Sequence, residues 1–263
     1  MLKRPGFSLP DLLIGLVLFG LIGTMAVRYL LHTTQLAQRA RERALFHTAA
    51  EAAVAFLRAE LTDIGGRPGD PDLLVATPES LNYRATRGLG MACALAPGAL
   101  ILQPSADPGL LRSVEPGRDQ VQLLVPGDSD RQWHTMPITA VAGSSCGGMA
   151  ALRLSAPADS FLPGPSAGAR WPARLHEAMQ VRWYRSLGHL WFGVRSLGAG
   201  EPIQPMAGPF QRGVFRYLDR LDQPTSDPAQ VRVIEIELQG EAGARAPAGD
   251  SLTFRITPWN LPL

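Results

Sequence analysis

The pentapeptide Gly143-Ser144-Ser145-Cys146-Gly147 spells G-x-S-x-G, the pattern of a nucleophilic serine raised on a sharp strand-to-helix turn. Such a turn needs a helix after it, and Met149–Leu154 reads as another strand, so the pentapeptide reads as a hairpin loop. The histidines His32, His47, His134, His176 and His189 show no metal-ligand spacing with one another or with cysteine. His47 and Glu51 stand four apart on a helix, a spacing that suits a metal and equally a solvated face. Asp128-Ser129-Asp130 opens like a calcium loop but lacks the glycine and the closing Glu that such a loop needs. Asp70-Pro71-Asp72 reads as turn chemistry. Trp183, Tyr184, Trp191 and Phe192 gather near one hairpin, either as a binding platform or as core against a helix. No catalytic set converges, so the chain reads as a non-enzyme with no metal and no cofactor.

The elements that must carry these residues fall into two composition regimes. No proline occurs between Pro10 and Pro68, and no glycine between Gly23 and Gly65. Gly65-Gly66-Arg67-Pro68-Gly69 then stops any helix. Ahead of that stop, Leu45, Ala49, Ala52, Ala53, Phe56, Leu57, Leu61 and Ile64 recur at helical spacing. A helix over residues 8–64 would extend roughly 85 Å. Beyond residue 72 the pattern turns to short alternating runs. Strands are predicted at Leu81–Arg87, Ala99–Gln103, Gln120–Val125, Gln132–Ile138, Met149–Leu154, Met179–Ser186, His189–Arg195, Gly213–Tyr217, Val231–Leu238 and Leu252–Thr257. Leu187-Gly188 reads as a hairpin turn, and Val233-Ile234 breaks strict alternation as a bulge would. The expected fold is α+β, a long helix packed on an antiparallel sheet. A net charge of +2, with 25 basic and 23 acidic side chains, argues against a nucleic-acid binder driven by a basic surface. Arg39, Arg41 and Arg43 are read as a solvated helix face or a contact with acidic neighbours.

The N-terminus carries the strongest signal. Lys3 and Arg4 precede an uncharged run from Leu12 to Val27, long enough with Phe7–Asp11 to span a bilayer as a helix. The basic pair keeps the N-terminus cytoplasmic and exports everything after Arg28. A cleaved secretory signal, a plain signal anchor and a third kind of leader compete for this stretch. The two cysteines, Cys93 and Cys146, then lie on the exported side, where an oxidising compartment favours a disulfide over two separate thiols.

The third kind rests on the order Lys3-Arg4-Pro5-Gly6-Phe7-Ser8-Leu9-Pro10-Asp11-Leu12-Leu13. That order resembles the leader of type IV pilins and type II secretion pseudopilins. The resemblance implies that a membrane peptidase cuts between Gly6 and Phe7 and methylates the amine of Phe7. It implies that Asp11, where the family carries Glu, pairs with the N-terminus of a neighbouring subunit. An acid at membrane depth calls for such a partner. Phe56-Leu57-Arg58-Ala59-Glu60-Leu61, Leu81-Asn82-Tyr83-Arg84 and the two runs Gly213–Asp219 and Val231–Leu238 look like parts of the larger members, the W-type minor pilins and J-type minor pseudopilins. The implied organisation is a prepilin leader at 1–6, a transmembrane assembly half of the helix at 7–28, an amphipathic half at 29–66 and an exported β-rich domain at 67–263. The implied partners are the prepilin peptidase, other minor and major pilins or pseudopilins, and inner-membrane lipid, with no nucleic acid. The implied role is a filament-tip subunit of a bacterial pilus or secretion pseudopilus, first held in the inner membrane by a single pass.

Overall fold

A computed structural model describes residues 9–67, 70–106, 109–126, 131–157, 170–240 and 250–258. One helix, α1, spans Leu9–Leu61. The strands are β1 (Gly66–Arg67), β2 (Asp70–Pro71), β3 (Leu73–Thr77), β4 (Ser80–Ala96), β5 (Ala99–Pro104), β6 (Asp119–Pro126), β7 (Arg131–Pro137), β8 (Ala140–Cys146), β9 (Met149–Ser155) and β10 (Trp171–Ser186). They continue with β11 (His189–Ser196), β12 (Gln204–Phe210), β13 (Arg212–Leu218), β14 (Val233–Gln239) and β15 (Ser251–Ile256). All of the strand pairings are antiparallel. The α+β expectation therefore holds at this level, a long helix with an antiparallel sheet domain.

Helix α1 ends three residues before Ile64. Thr62 turns back on Arg58, its backbone N–H and its hydroxyl both donating to the Arg58 carbonyl. The Gly65 N–H is then taken by the Asp72 carboxylate at 2.7 Å, which draws the chain away from the helix axis. The face that packs is centred on Phe46, Ala50, Ala53, Leu57 and Leu61, all buried. Leu45 and Ala52, expected in the stripe, are exposed. Their positions fall one residue to the side of the packed line in a 3.6-residue repeat.

Two long strands, β4 and β10, run side by side and carry the domain. Their lower halves, with β3, β11, β12 and the separate β13–β14–β15 sheet, enclose a core with α1: Leu57, Tyr83, Val181, Trp183, Phe192, Phe215 and Ile236 are all buried. Their upper halves, with β5, β6, β7, β8 and β9, enclose a second core around Leu102, Leu123, Leu154, Trp171 and Leu175, which the helix does not reach. This second core departs from the expectation of one sheet packed on one helix.

The upper sheet curls. Its edge strands β7 and β8 are joined only by Ile138 and Thr139, whose N–H groups donate to Asp119 on β6 and Ser155 on β9. The Cys93–Cys146 disulfide links β4 to the end of β8 with 6.4 Å between the Cα atoms. Strands β4 and β8 are separated by β5 and β9 in the sheet order. In a flat sheet they would stand roughly 14 Å apart, so the sheet must fold over to close the bond. Gly90 permits it, since a Cβ there would meet the Gln103 carbonyl oxygen at 2.5 Å.

Each of the ten expected strands is present, and five more appear among the described residues. The bulge read at Val233-Ile234 is corrected. The ladders of β14 run without a register shift. Val231 is buried ahead of the strand, with the Arg232 N–H bonded to the Leu218 carbonyl, and regular alternation begins only at Val233.

Candidate functional site

The helix presents two different surfaces. From Leu9 to Leu45 its apolar side chains stand free of the rest of the chain, Phe19 being 80% exposed. The most apolar 18-residue window, of mean hydropathy 2.0, has no residue buried within the protein. That stretch is long and apolar enough to cross a membrane, compatible with a single-pass anchor or a signal. Asp11 lies in the first described turn of α1. Lys3, Arg4, Gly6 and Phe7 lie outside the described residues, as does the Asp128-Ser129-Asp130 segment.

Cys93 and Cys146 are bonded to each other. Closing a loop of 53 residues adds about 4 kcal/mol by the chain-entropy model. Ser145 lies within β8, exposed, next to a hairpin turn in which Gly147 and Gly148 both take positive φ. Strand β9 follows, so the strand-turn-helix support of a nucleophilic serine is not built there. His47 and Glu51 are both exposed on α1.

The aromatic quartet divides by strand parity. Trp183 and Phe192 point into the core beneath the helix, their rings 5.1 Å apart, with Phe215 at 5.2 Å from Trp183 and Phe56 of the helix at 6.2 Å from Phe192. Tyr184 and Trp191 pair across the same ladder on the opposite face and are half-buried.

The densest cluster of charge is one the sequence reading did not identify. Glu177 of β10 is buried where the two cores meet, and three arginines converge on it. Arg87 Nε donates at 2.8 Å and Arg112 at 3.1 Å, and Arg118 Nε also donates. Arg87 reaches in because the β4–β10 ladder slips at this level. Gly88 faces Leu175 and Thr86 faces His176, which leaves Arg87 without a partner in the ladder. Arg87 also donates to Glu60 in the last turn of α1 at 3.1 Å, and Arg112 grips Asp119 through both nitrogens at 2.8 and 2.6 Å. The result is a continuous ionic chain from the helix end into the upper half of the domain. Burial alone would raise the Glu177 carboxyl, but hydrogen bonds from Arg118 and Arg87 outweigh it and hold the group down to about 2. The Tyr83 phenol is pushed up by burial and by Glu60, so it stays protonated. A carboxylate gripped by three arginines and with this low a pKa is a fixed anion, unsuited to moving protons near neutral pH.

On the other face, Asp72 is buried and holds Arg174 at 2.7 Å together with the Gly65 N–H. It therefore anchors the segment after the helix, beyond the turn role read from the sequence. His176 is fully buried, and its bond to Gln120 Oε1 at 3.1 Å requires the proton on Nε2. Burial, then Arg174 and Arg84, lower its pKa to about 3. The sequence did hold one signal for the ionic chain. Trp171, Ala173, Leu175, Met179, Val181 and Trp183 alternate as inward positions, and Glu177 occupies the same phase. An acid on the core side of a strand demands buried partners.

Compared with protein-family models, with curated proteins and with solved structures, the chain gives no match.

Proposed function

We propose that the chain is a membrane-anchored assembly subunit of the type IV pilin and pseudopilin kind, in the size class of the minor subunits. The prepilin peptidase would cut between Gly6 and Phe7 and methylate Phe7. Asp11 would then pair with the N-terminal amine of a neighbouring subunit, as the free helix halves bundle by van der Waals packing in lipid. The β domain, exported beyond the inner membrane and braced by the Cys93–Cys146 bond, would contact other minor subunits at a pilus or pseudopilus tip.

The observation that carries this reading is the helix itself. A single unbroken α1 begins as an all-round apolar segment with no residue of its most apolar window buried by the described chain and ends as a stripe locked into a domain core. A cleaved signal would discard the first part, whereas a filament subunit needs both parts in one rod. The Gly6-Phe7 junction and the acid at Asp11 add the sequence argument.

The test is the intact mass of protein extracted from membranes, with and without a matching prepilin peptidase. Loss of residues 1–6 together with gain of one methyl group, only when the peptidase is present, is the expected result. A Met1 terminus that persists beside an active peptidase would reduce the segment to a plain anchor and sink the assembly reading.

A further inference from the structure

Strand parity leaves one sheet face unused by the core. On β10 the odd positions Met179, Val181 and Trp183 are buried under the helix, and the even positions face away. The register places Tyr184 opposite Trp191, Arg182 opposite Gly193 and Gln180 opposite Arg195. The two aromatic rings lie along the sheet. A Cβ on Gly193 would fall 2.5 Å from Tyr184 Cε1, and one on Gly208 would fall 3.0 Å from Trp191 Cε3. Each ring thus lies over a glycine, with the Ile203 side chain also close at Gly193, and both residues stay partly exposed.

Polar groups frame the pair. Arg195 Nε donates to Gln180 Oε1 at 2.8 Å, and Gln180 Nε2 donates to Asn82 Oδ1 at 2.9 Å. That relay fixes Arg195 and Asn82 and leaves the Asn82 amide nitrogen and the terminal Arg195 nitrogens uncommitted. Arg182 is exposed and makes no ion pair among the described residues. No Asp or Glu occupies the neighbouring outward positions, which are Ser80 and Asn82 on β4, Gln180, Arg182 and Tyr184 on β10, Trp191 and Arg195 on β11, and Met206 on β12.

We propose that this face binds an acidic oligosaccharide, a chain of uronic-acid sugars. The C–H faces of sugar rings are apolar and slightly positive, and they stack on the electron-rich faces of Tyr184 and Trp191. Sugar carboxylates pair with Arg182 and Arg195, for which planar bidentate contact suits a guanidinium. The Asn82 amide donates to ring hydroxyls. The unpaired Arg182, with no acid at the positions beside it, selects an anion over a neutral sugar. Two arginines in a chain of net charge +2 match the sparse charge of a uronate chain better than the phosphate on every nucleotide of a single strand. This inference does not depend on how the N-terminus is processed.

The test is calorimetric titration of the full-length chain in detergent micelles with hexagalacturonate, with cellohexaose and a thymidine 20-mer as comparison probes. Saturable binding of hexagalacturonate is expected, at least tenfold tighter than cellohexaose and weakened at least tenfold by Trp191→Ala and by Arg182→Gln. Arg182 is exposed, so its variant should keep the wild-type unfolding midpoint and separate lost binding from lost fold. Absence of saturable binding would overturn the proposal, as would wild-type affinity in both variants. Tight binding of the thymidine 20-mer, lost in both variants while hexagalacturonate does not bind, would replace the sugar with a nucleic-acid strand.

Discussion

The two ends of α1 belong to one continuous helix and follow opposite rules. Between Phe46 and Leu61 a narrow stripe is buried, with Ala50, Ala53, Leu57 and Leu61 at 0% exposure. Between Leu9 and Leu31 the apolar residues surround the axis and the large ones are all exposed among the described residues. A helix held by water-driven packing needs one apolar face, whereas a helix apolar on every side needs an apolar surrounding. Among the described residues, nothing supplies that surrounding for the first half. The chain carries the partner of the second half within itself, in β12, β15 and β4. The two halves also end differently. The packed half is pinned by charge, through Glu60 to Arg87 and on to Glu177.

The largest contrast should come from removing the free half. A chain beginning at Thr34 is expected to leave the membrane fraction entirely and to unfold at the full-length midpoint, as read by fractionation and circular dichroism. A lower midpoint would mean that the two halves are energetically coupled, which would break the comparison. Point changes sharpen it next. Leu57→Ala should cost about 4 kcal/mol in denaturant unfolding, since a fully buried leucine leaves a cavity. Leu18→Ala should cost the domain nothing measurable, because its side chain is 54% exposed.

The sequence displayed the helix and its change of character openly, because both are written in local composition. The ten alternating strands were equally legible. What escaped has physical reasons. Strand β12, Gln204–Phe210, contains Pro205, Gly208 and Pro209, residues that argue against a strand, yet it pairs only β11, and an edge strand tolerates proline. Strand β8 is alanine, glycine and serine with one valine and the closing Cys146, too weak in β-branched residues to announce itself. The second core depends on how far β4 and β10 continue beyond the predicted Leu81–Arg87 and Met179–Ser186, β4 through Gly88 and Gly90 and β10 from Trp171 through Pro172, residues that read locally as breaks. The candidate site was half visible. The disulfide and the aromatic hairpin could be foreseen, but the split of the hairpin into core and surface faces needed the register. Arg87, Arg112 and Arg118 lie far from Glu177 along the chain, so only the fold brings them together.

The ionic pin gives a pH signature. Glu177 has a folded pKa of about 2 against an ordinary 4.5. A depressed acid contributes stability that is complete above pH 4.5 and is lost as pH falls towards 2. The full shift corresponds to roughly 3 kcal/mol. His176, lowered to about 3 from 6.5, acts in the same direction from pH 6.5 downward. Unfolding of the wild type should therefore grow easier between pH 6.5 and 3. Glu177→Gln should be less stable at pH 6.5, with buried arginines left unpaired. It should also lose less stability between pH 4.5 and 3 than the wild type, with the slope above 4.5 unchanged. Parallel profiles in urea titrations would show that Glu177 is not held as an anion.

The smallest measurable cost is expected where the packed half begins. Gly240, just past the end of β14, lies under the Phe46 ring, and a Cβ there would stand 3.0 Å from Phe46 Cγ and 3.1 Å from Cδ2. Phe46 in turn packs edge-on against Phe210, with 6.2 Å between ring centroids. Gly240→Ala must therefore lift the first ring of the packed stripe and leave Leu57 and Leu61 in place. The expected cost is about 1 kcal/mol, at the low end for an overpacked site, because Phe46 sits at the margin of the core. Hydrogen exchange distinguishes the outcomes. Faster exchange confined to the helix around Phe46 would mean that the boundary between the halves is set locally, by this one contact. Faster exchange reaching Leu61 would mean that the packed half docks as a single unit, anchored chiefly at its Glu60–Arg87 end.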